Sequence, residues 1–311
     1  MNTIPNLSSL SMNPRASLQN DPHAPDGVYC LDDISDLAGC KSSIIIVRQA
    51  LKIGVDVTQD DIDELDRFMA DDNRVKPTPN AMSGFHQQLA VEREDGSYTL
   101  ANQPVPSWQL ERDKEGKPTG RVHRNMIYRK QATFGAEYDF GQVNTSIMDP
   151  ASWPRLVHVC LALTKQMSYD KGISGELYNA VHGSFYSSAK AWLAPHWDKE
   201  GAHVKGMPIY SFTFLSGVFK PRPFSIYHPG RNKKNPEKVA DVILGSGDLL
   251  VMQGSMQDWF LHGVEKARPE REFQDAHRIN LTVRAFVPPP ACEAKEAQPN
   301  AKRVLSETQG A

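Results

Sequence analysis

The chain has 311 residues, of which 40% are apolar and 23% are charged, and its net charge is −2. This length and composition are ordinary for a globular protein with a sizeable core, either one large domain with appendages or two modest domains. The small negative charge excludes an overall positive field that would draw the protein to nucleic acid, so any such attraction must be local.

Cysteine usage and hydropathy bear on the cellular location of the protein. Four cysteines lie far apart and form no C-x-x-C pair: Cys30, Cys40, Cys160 and Cys292. Their spacing argues against a zinc ribbon and against a disulfide framework, and it favours a reduced intracellular compartment. No apolar run approaches the roughly 20 residues that span a bilayer, and the N-terminus lacks the pattern of a secretory signal. We therefore expect a soluble nuclear or cytoplasmic protein without a membrane partner, and the Ser-containing N-terminus leaves an organelle open.

The first part of the chain shows no visible chemistry. Residues 1–28 are rich in Asn, Ser and Pro, and we expect them to be disordered. Residues 29–75 are predicted to form a small helical extension. In TQDDIDELDRFMADD, Thr58 and Asp61 form a capping box. The apolar stripe of the same helix contains Ile62, Leu65, Phe68 and Met69.

Strand patterns begin after this helix. Residues 76–120 contain the turn signals EDGS and KEGKPTG, which predict a region of hairpin strands leading into the next domain. A helix follows near Pro154, and its buried side contains Leu156, Val159, Cys160 and Leu163. Further short strands are predicted at 209–215, 224–228, 239–244, 249–252 and 278–286.

The order of these elements predicts the fold class. Many short strands with a helix packed outside predict a mostly β fold with flanking helices, namely a double-stranded β-helix or jelly roll. This domain is predicted to span residues 121–288. Residues 289–311 are rich in Pro, Ala, Glu and Lys, and we expect a disordered tail.

Two short motifs, PHWDKE and WFLHGV, contain residues that can bind a metal ion. His196 and Asp198 stand two residues apart in the first motif, so on a strand both side chains point to the same side. His262, in the second motif, can add an imidazole from a distant strand. Two histidines and one carboxylate form the facial triad that holds Fe(II) and leaves positions open for a co-substrate and dioxygen.

The stretch RINLTVR, from Arg278 to Arg284, alternates polar and apolar residues with the period of a strand. Both arginines then point to the same side. From these seven residues alone, a solvent-facing edge strand is equally compatible. Fe(II) oxygenases of this type bind the dicarboxylate 2-oxoglutarate, whose far carboxylate needs a cation, and the guanidinium fork pairs well with a carboxylate. Arg284 could supply this cation, in which case one arginine holds the far carboxylate and the other lies nearer the metal.

Taken together, these motifs resemble those of the AlkB-type Fe(II)/2-oxoglutarate dioxygenases, which oxidatively demethylate nucleic-acid bases. The shared pattern is H-x-D, a distant His, and R-x-N-L-T-x-R, and the segment 245–264 is also similar to the strand pair that leads to the second histidine. The resemblance covers residues 121–288. It implies Fe(II) bound by His196, Asp198 and His262, and 2-oxoglutarate bound by Arg278, Arg284, Asn280 and Tyr186. The family commonly has Asn-x-Tyr at the last position, whereas this chain has Ser184, Phe185 and Tyr186.

A second block, RKQATFGAEYDFG at 129–141, resembles the base-recognition lid of the branch that repairs methylated DNA. The resemblance implies that Phe140 or Tyr138 stacks the flipped base against His196. It also implies that Glu200 accepts a hydrogen bond from the exocyclic amine of the base. A basic cluster that includes Arg129 precedes the lid, and a second basic stretch lies at 219–238. Both could contact phosphates or be solvated loops.

The resemblance predicts oxidative demethylation of 1-methyladenine or 3-methylcytosine, with Fe(II) as cofactor, 2-oxoglutarate as co-substrate, and formaldehyde, succinate and CO2 as products. The predicted partner is DNA or RNA, at least single-stranded, because the aromatic wedge of the duplex-repairing branch has no counterpart in GRVHRNMIYR before Tyr128. We expect a monomer. Two alternatives remain open: an oxygenase of the same type acting on a protein side chain, RNA or another base modification, and a catalytically inert nucleic-acid-binding module.

Overall fold

The computed structural model describes residues 7, 10–13, 15–32, 39–52, 56–70, 76–77, 88–89, 91–100, 103–105, 110–113, 115, 117–122, 129–136, 139–140, 143–144, 149–186, 191–198, 203–217, 222–229, 236–265 and 277–287. Its α-helices are α1 (Arg15–Asn20), α2 (Gln59–Ala70), α3 (Arg155–Tyr169) and α4 (Met256–Trp259). Short 3-10 helices lie at Ala50–Lys52, Pro150–Ser152 and Gly175–Leu177.

Strands make up most of the regular structure. The first ten are β1 (Met12–Asn13), β2 (Gly27–Cys30), β3 (Ser42–Val47), β4 (Lys76–Pro77), β5 (Gln88–Leu89), β6 (Val91–Glu92), β7 (Tyr98–Leu100), β8 (Gln103–Val105), β9 (Leu110–Arg112) and β10 (Pro118–Val122). The others are β11 (Arg129–Gly135), β12 (Asp139–Phe140), β13 (Val143–Asn144), β14 (Tyr178–Tyr186), β15 (Leu193–His196), β16 (Ile209–Ser216), β17 (Pro223–His228), β18 (Glu237–Ile243), β19 (Leu249–Gly254), β20 (Leu261–Val264) and β21 (His277–Ala285).

Two sheets dominate the architecture. The larger has nine strands in the order β1-β2-β3-β19-β16-β21-β14-β11-β4, and the smaller has four in the order β15-β20-β17-β18. All pairs in both sheets are antiparallel except the parallel pair of β1 and β2. Three smaller sheets, β5-β10-β9, β6-β7-β8 and β12-β13, complete the described strands. The predicted mostly β jelly roll with flanking helices is therefore confirmed.

The main core lies between the larger sheet and the two long helices. In β21, Ile279, Leu281 and Val283 are fully buried in a cluster that also contains Phe68 of α2 and Cys160 of α3. Because side chains alternate along a strand, the intervening polar residues of β21 point to the opposite face. The core thus fixes which side of β21 faces the interior between the sheets.

Both long helices follow their sequence signals. The backbone N–H of Thr58 donates to Oδ2 of Asp61 at 2.8 Å, so the predicted capping box is present at the start of α2. Helix α3 begins directly after Pro154 and buries Leu156 and Cys160. Among the residues that the structure describes, no helix is both long and apolar enough to span a membrane.

The N-terminal predictions are wrong in two respects. Residues 15–20 of the segment expected to be disordered form α1, and Leu18 is fully buried in a cluster with residues of β18. The stretch expected to be a helical extension contains the end of β2 and all of β3, two strands that widen the larger sheet. The apolar run SSIIIV of β3 is buried on both faces, which is typical of an internal strand. The predicted tail, 289–311, lies outside the described residues.

The cysteine spacing argued against a disulfide framework, but the structure contains a disulfide. Cys30 at the end of β2 and Cys40 before β3 form a disulfide, with Cα atoms 5.9 Å apart. Ten residues separate the two cysteines along the chain, and the pairing of β2 with β3 brings them together. Cys160 is a free, buried thiol.

Candidate active site

A cavity lies between the larger and the smaller sheet. Its empty volume is about 580 Å³, open mouth included. The larger sheet contributes the polar side of the lining, and the smaller sheet contributes histidine and apolar residues. Apolar lining residues include Leu193, Phe224, Met252 and Val264.

The predicted metal ligands converge at one end of this cavity. His196 ends β15, Asp198 follows two residues later, and His262 lies in the neighbouring strand β20, in register with His196. Nε2 of His196 lies 3.4 Å from Oδ1 of Asp198, and Nε2 of His262 lies 3.6 Å from Oδ2. One ligand atom from each residue lies within 4.8 Å of the other two. Neighbouring ligand atoms around an octahedral ion with bonds of about 2.1 Å are roughly 3 Å apart, so this spacing fits an ion.

The protonation states of these ligands also fit a cation. Nδ1 of His196 lies 2.9 Å from the carbonyl oxygen of Ala194, which can only accept a hydrogen bond. In the neutral imidazole, the lone pair therefore lies on Nε2, facing the carboxylate of Asp198. Burial lowers the pKa of His262 to about 3, with a further contribution from His196, so the imidazole of His262 is neutral. The lone pair on Nε2 of His196 would face the carboxylate of Asp198 across 3.4 Å, and an ion between the two would stabilise both.

Arg284 lies at the metal-binding end of the cavity. Its Nη2 is 2.8 Å from Oδ2 of Asp198, and both side chains are almost fully buried. Burial alone would raise the pKa of Asp198, but the charge of Arg284 and the contacts with His262 and His196 hold that pKa well below its usual range. The carboxylate is therefore ionised and available to a metal.

Arg278 lies at the other end of β21 and is 2% exposed. Its guanidinium carbon is 5.2 Å from the ring centroid of Tyr186, and Nη2 donates to Oγ1 of Thr213 at 3.3 Å. No carboxylate forms an ion pair with Arg278 among the described residues. A buried cation of this kind fits an anionic ligand. The sequence favoured Arg284 as the cation for the far carboxylate of 2-oxoglutarate. In the structure Arg284 instead contacts Asp198, and Arg278 lies at the opposite end of the cavity.

The residues between the two arginines form a hydrogen-bonded row. Nδ2 of Asn280 donates to Oγ of Ser211 at 2.9 Å and to the carbonyl oxygen of Phe212 at 2.8 Å. Oγ1 of Thr282 donates to Oδ1 of Asn280 at 2.8 Å. The amide nitrogen and the amide oxygen of Asn280 both form hydrogen bonds within this row. The row holds β21 against β16 with its polar face toward the cavity.

Arg222 does not serve the basic surface predicted for 219–238. Its side chain is 4% exposed, lies 5.3 Å from the ring of Tyr186, and donates to the carbonyl oxygens of Ala191 and Glu265. Lys238 pairs with Glu265 and Asp241. The remaining basic residues of that stretch lie outside the described residues.

The structure covers the predicted substrate contacts only in part. Arg129 lies in β11 in register with Tyr186, and Phe140 lies in β12 in register with Val143. Glu200 and Tyr138 lie outside the described residues.

The sequence analysis assigned no role to several polar residues that line the cavity wall. His182 and Ser184 on β14 and Ser211 on β16 line the same cavity. The first two stand four and two residues before Tyr186 in one strand, so alternation placed them on the face of that tyrosine. This alternation along the strand was the signal that the sequence offered for these residues.

The comparisons with known proteins agree with this geometry. A family model described as 2OG-Fe(II) oxygenase superfamily matches residues 84–284, which is more than half of the chain. No curated protein matches the chain. The matched region contains the three converging metal ligands and both buried arginines. The chain belongs to the 2OG-Fe(II) oxygenase superfamily, and the protein is an Fe(II)- and 2-oxoglutarate-dependent dioxygenase.

Proposed function

We propose that the protein oxidatively removes alkyl groups from nucleic-acid bases of the 1-methyladenine and 3-methylcytosine type. The observation that carries the substrate class is the likeness of residues 129–141 and Glu200 to the base-recognition residues of AlkB-type enzymes. Methylation at these positions leaves the base cationic at neutral pH. A carboxylate at Glu200 would therefore attract the damaged base more strongly than a normal one.

Within this proposal the charged groups of the cavity and two of its polar neighbours have defined roles. His196, Asp198 and His262 hold Fe(II), and Arg278 pairs with the far carboxylate of 2-oxoglutarate. Arg284 keeps the carboxylate of Asp198 ionised and oriented, as its 2.8 Å contact with Oδ2 supports. Tyr186 and Asn280 complete the co-substrate wall, and the tyrosine stacks against Arg278.

The chemistry divides between the bound groups and the protein. When bound, Fe(II) and 2-oxoglutarate supply the oxidation, in which dioxygen gives one oxygen atom to succinate, with release of CO2, and the other to a C–H bond. The N–CH3 group of the base thereby becomes N–CH2OH, and its C–N bond then breaks to release formaldehyde and the repaired base. The protein orients the two reactants, and Leu193, Phe224 and Val264 exclude water from the cavity.

In this proposal, a monomer of the protein binds nucleic acid that is at least single-stranded. Phe140 or Tyr138 would stack on the flipped base and Arg129 would contact a phosphate. A single strand avoids most of the cost of extruding the base, which is a few kcal/mol in a duplex. Binding is expected to weaken as salt is raised, because phosphate contacts release counterions.

The test supplies the purified protein with Fe(II), 2-oxoglutarate and methylated oligonucleotides, and measures succinate and formaldehyde together. The panel contains 1-methyladenine and 3-methylcytosine in single- and double-stranded DNA and RNA, with repaired bases read by mass spectrometry. We expect formaldehyde with at least one single-stranded oligonucleotide. Asp198→Ala is the matched control, and it should lose product formation while keeping its affinity for the oligonucleotide.

Succinate formation without repair of any oligonucleotide would reject the base substrate and leave the oxygenase intact. The same oxygenase chemistry on a protein side chain or another base modification would then be the remaining function. A catalytically inert binding module is excluded by the family and by the complete set of metal ligands in one cavity.

A further inference from the structure

The short helix α4 directly precedes the strand that supplies His262. It lies between β19 and β20, and β20 begins two residues after its end and contains His262. Gln257 of α4 accepts a hydrogen bond from the backbone N–H of Asp198, with Oε1 2.9 Å from the nitrogen. The two residues are 59 positions apart in the chain. One side chain of α4 therefore fixes the main chain of a metal ligand on another strand.

The orientation of the Gln257 amide is determined by its two neighbours. The backbone N–H of Asp198 can only donate, so it requires the oxygen of the amide. Nε2 then lies 3.3 Å from the thioether sulfur of Met252, a weak acceptor. Met252 itself lines the cavity. Gln257 thus has a defined rotamer between the cavity wall and Asp198.

Helix α4 is itself firmly held, as a support for a ligand must be. Met256 is fully buried in the cluster between the sheets. The backbone N–H of Ser255 donates to the carbonyl oxygen of Lys41 at 2.6 Å, just before β3. The N–H of Phe260 donates to the carbonyl oxygen of Met256 at 2.8 Å.

We propose that Gln257 is a positioning residue for the metal site, acting through the main chain of Asp198. Its acceptor holds the backbone where Oδ1 of Asp198 faces His196 and Oδ2 faces His262. Gln257 does not lie among the residues that line the cavity, so it acts without being a ligand. Partners of metal ligands are typically worth about 10- to 100-fold in metal affinity. The proposal depends on the metal site and is independent of the substrate.

The experiment measures the affinity of the full-length protein for Mn(II), a redox-stable stand-in for Fe(II), without any turnover. Gln257→Met keeps the length of the side chain and removes the acceptor, and we expect Mn(II) affinity to fall about 10-fold. Gln257→Glu keeps an acceptor at the same distance along the side chain. We expect its Mn(II) affinity to lie within a few-fold of that of the wild type. Gln253→Met is the matched control, because the hydrogen bonds of Gln253 join Lys171 and Ser43.

Thermal unfolding of each variant separates loss of the fold from loss of the site. If Gln257→Met does not fold, Gln257→Ala is measured instead, and we expect the same loss of Mn(II) affinity. Wild-type Mn(II) affinity in the folded acceptor-free variant would overturn the proposal. Equal losses in Gln257→Glu and Gln257→Met would overturn it as well, because the acceptor would then not be the cause. If the Mn(II) affinities are as expected but no oligonucleotide is repaired, only the proposed substrate is rejected.

Discussion

At the scale of single residues, the cavity places its two arginines in different electrostatic situations. Arg284 has its counter-charge in the protein, because Oδ2 of Asp198 lies 2.8 Å away. Arg278 contacts only Tyr186 and Thr213 among the contacts described, and burial lowers its pKa. A buried cation without a carboxylate partner is unfavourable until an anion binds. In the proposed function, the far carboxylate of 2-oxoglutarate would supply that anion.

Replacement of Arg278 by Met is expected to raise the KM for 2-oxoglutarate about 10- to 100-fold, since a charge-assisted hydrogen bond is worth roughly 1.5–3 kcal/mol. Mn(II) affinity should change little, because the ligands lie at the other end of β21. Succinate formation at varied 2-oxoglutarate gives the KM. Lys165→Met, which removes a cation that pairs with Glu176 at the surface, is the control. An unchanged KM in Arg278→Met would contradict the assigned role.

At the scale of elements, the sequence was informative wherever one pattern decided the face of a strand or helix. The alternation in RINLTVR predicted which side of β21 meets the core, and Thr58 and Asp61 marked the start of α2. The order of the two arginines could not be predicted in this way. The order depends on the direction in which β21 runs beside its antiparallel partner β14 and on the position of Asp198. Both are known only once the sheets are assembled.

The sequence did not predict the N-terminal strands β2 and β3, for a related reason. The run SSIIIV has the continuous apolar pattern of an internal strand, but a run of this length is ambiguous without its neighbours. Its partners are β2 and β19, and β19 is about 200 residues further along the chain, with Leu249 opposite Val47. Leu18 is the one large apolar residue of α1, and it is buried against β18. Long-range pairing of this kind has no local signature.

The hairpin of β2 and β3 makes the disulfide testable. Closing a loop of this size removes entropy from the unfolded chain worth about 2–3 kcal/mol in the chain-entropy description. We therefore expect the oxidised protein to unfold at higher urea concentration than the reduced protein. The double variant Cys30→Ser/Cys40→Ser should match the reduced protein under both conditions. Cys292→Ser, the control, should keep the difference, and four titratable thiols in protein purified without reductant would contradict the disulfide.

At the scale of the whole molecule, the active site lies between the two main sheets. His196, Asp198 and His262 come from the smaller sheet and its exit, whereas Arg278 and Arg284 come from the larger sheet. An ion and a dicarboxylate bound together would therefore bridge both sheets. Because such ligands bind only the assembled fold, they must stabilise the whole molecule against unfolding.

This linkage predicts ordered thermal shifts under anaerobic conditions. A ligand at about 100 times its Kd contributes about 2.7 kcal/mol, and each kcal/mol raises the Tm of a protein of this size by roughly 2–4 °C. Mn(II) and then 2-oxoglutarate should each raise the wild-type Tm by roughly 5 °C or more by calorimetry. Asp198→Ala should lose both shifts, whereas Arg278→Met should keep the shift from Mn(II) and lose the one from 2-oxoglutarate. Equal shifts in the wild type and Asp198→Ala would show that the ligands bind elsewhere. Loss of the Mn(II) shift in Arg278→Met would show that the two ends of the cavity do not act separately.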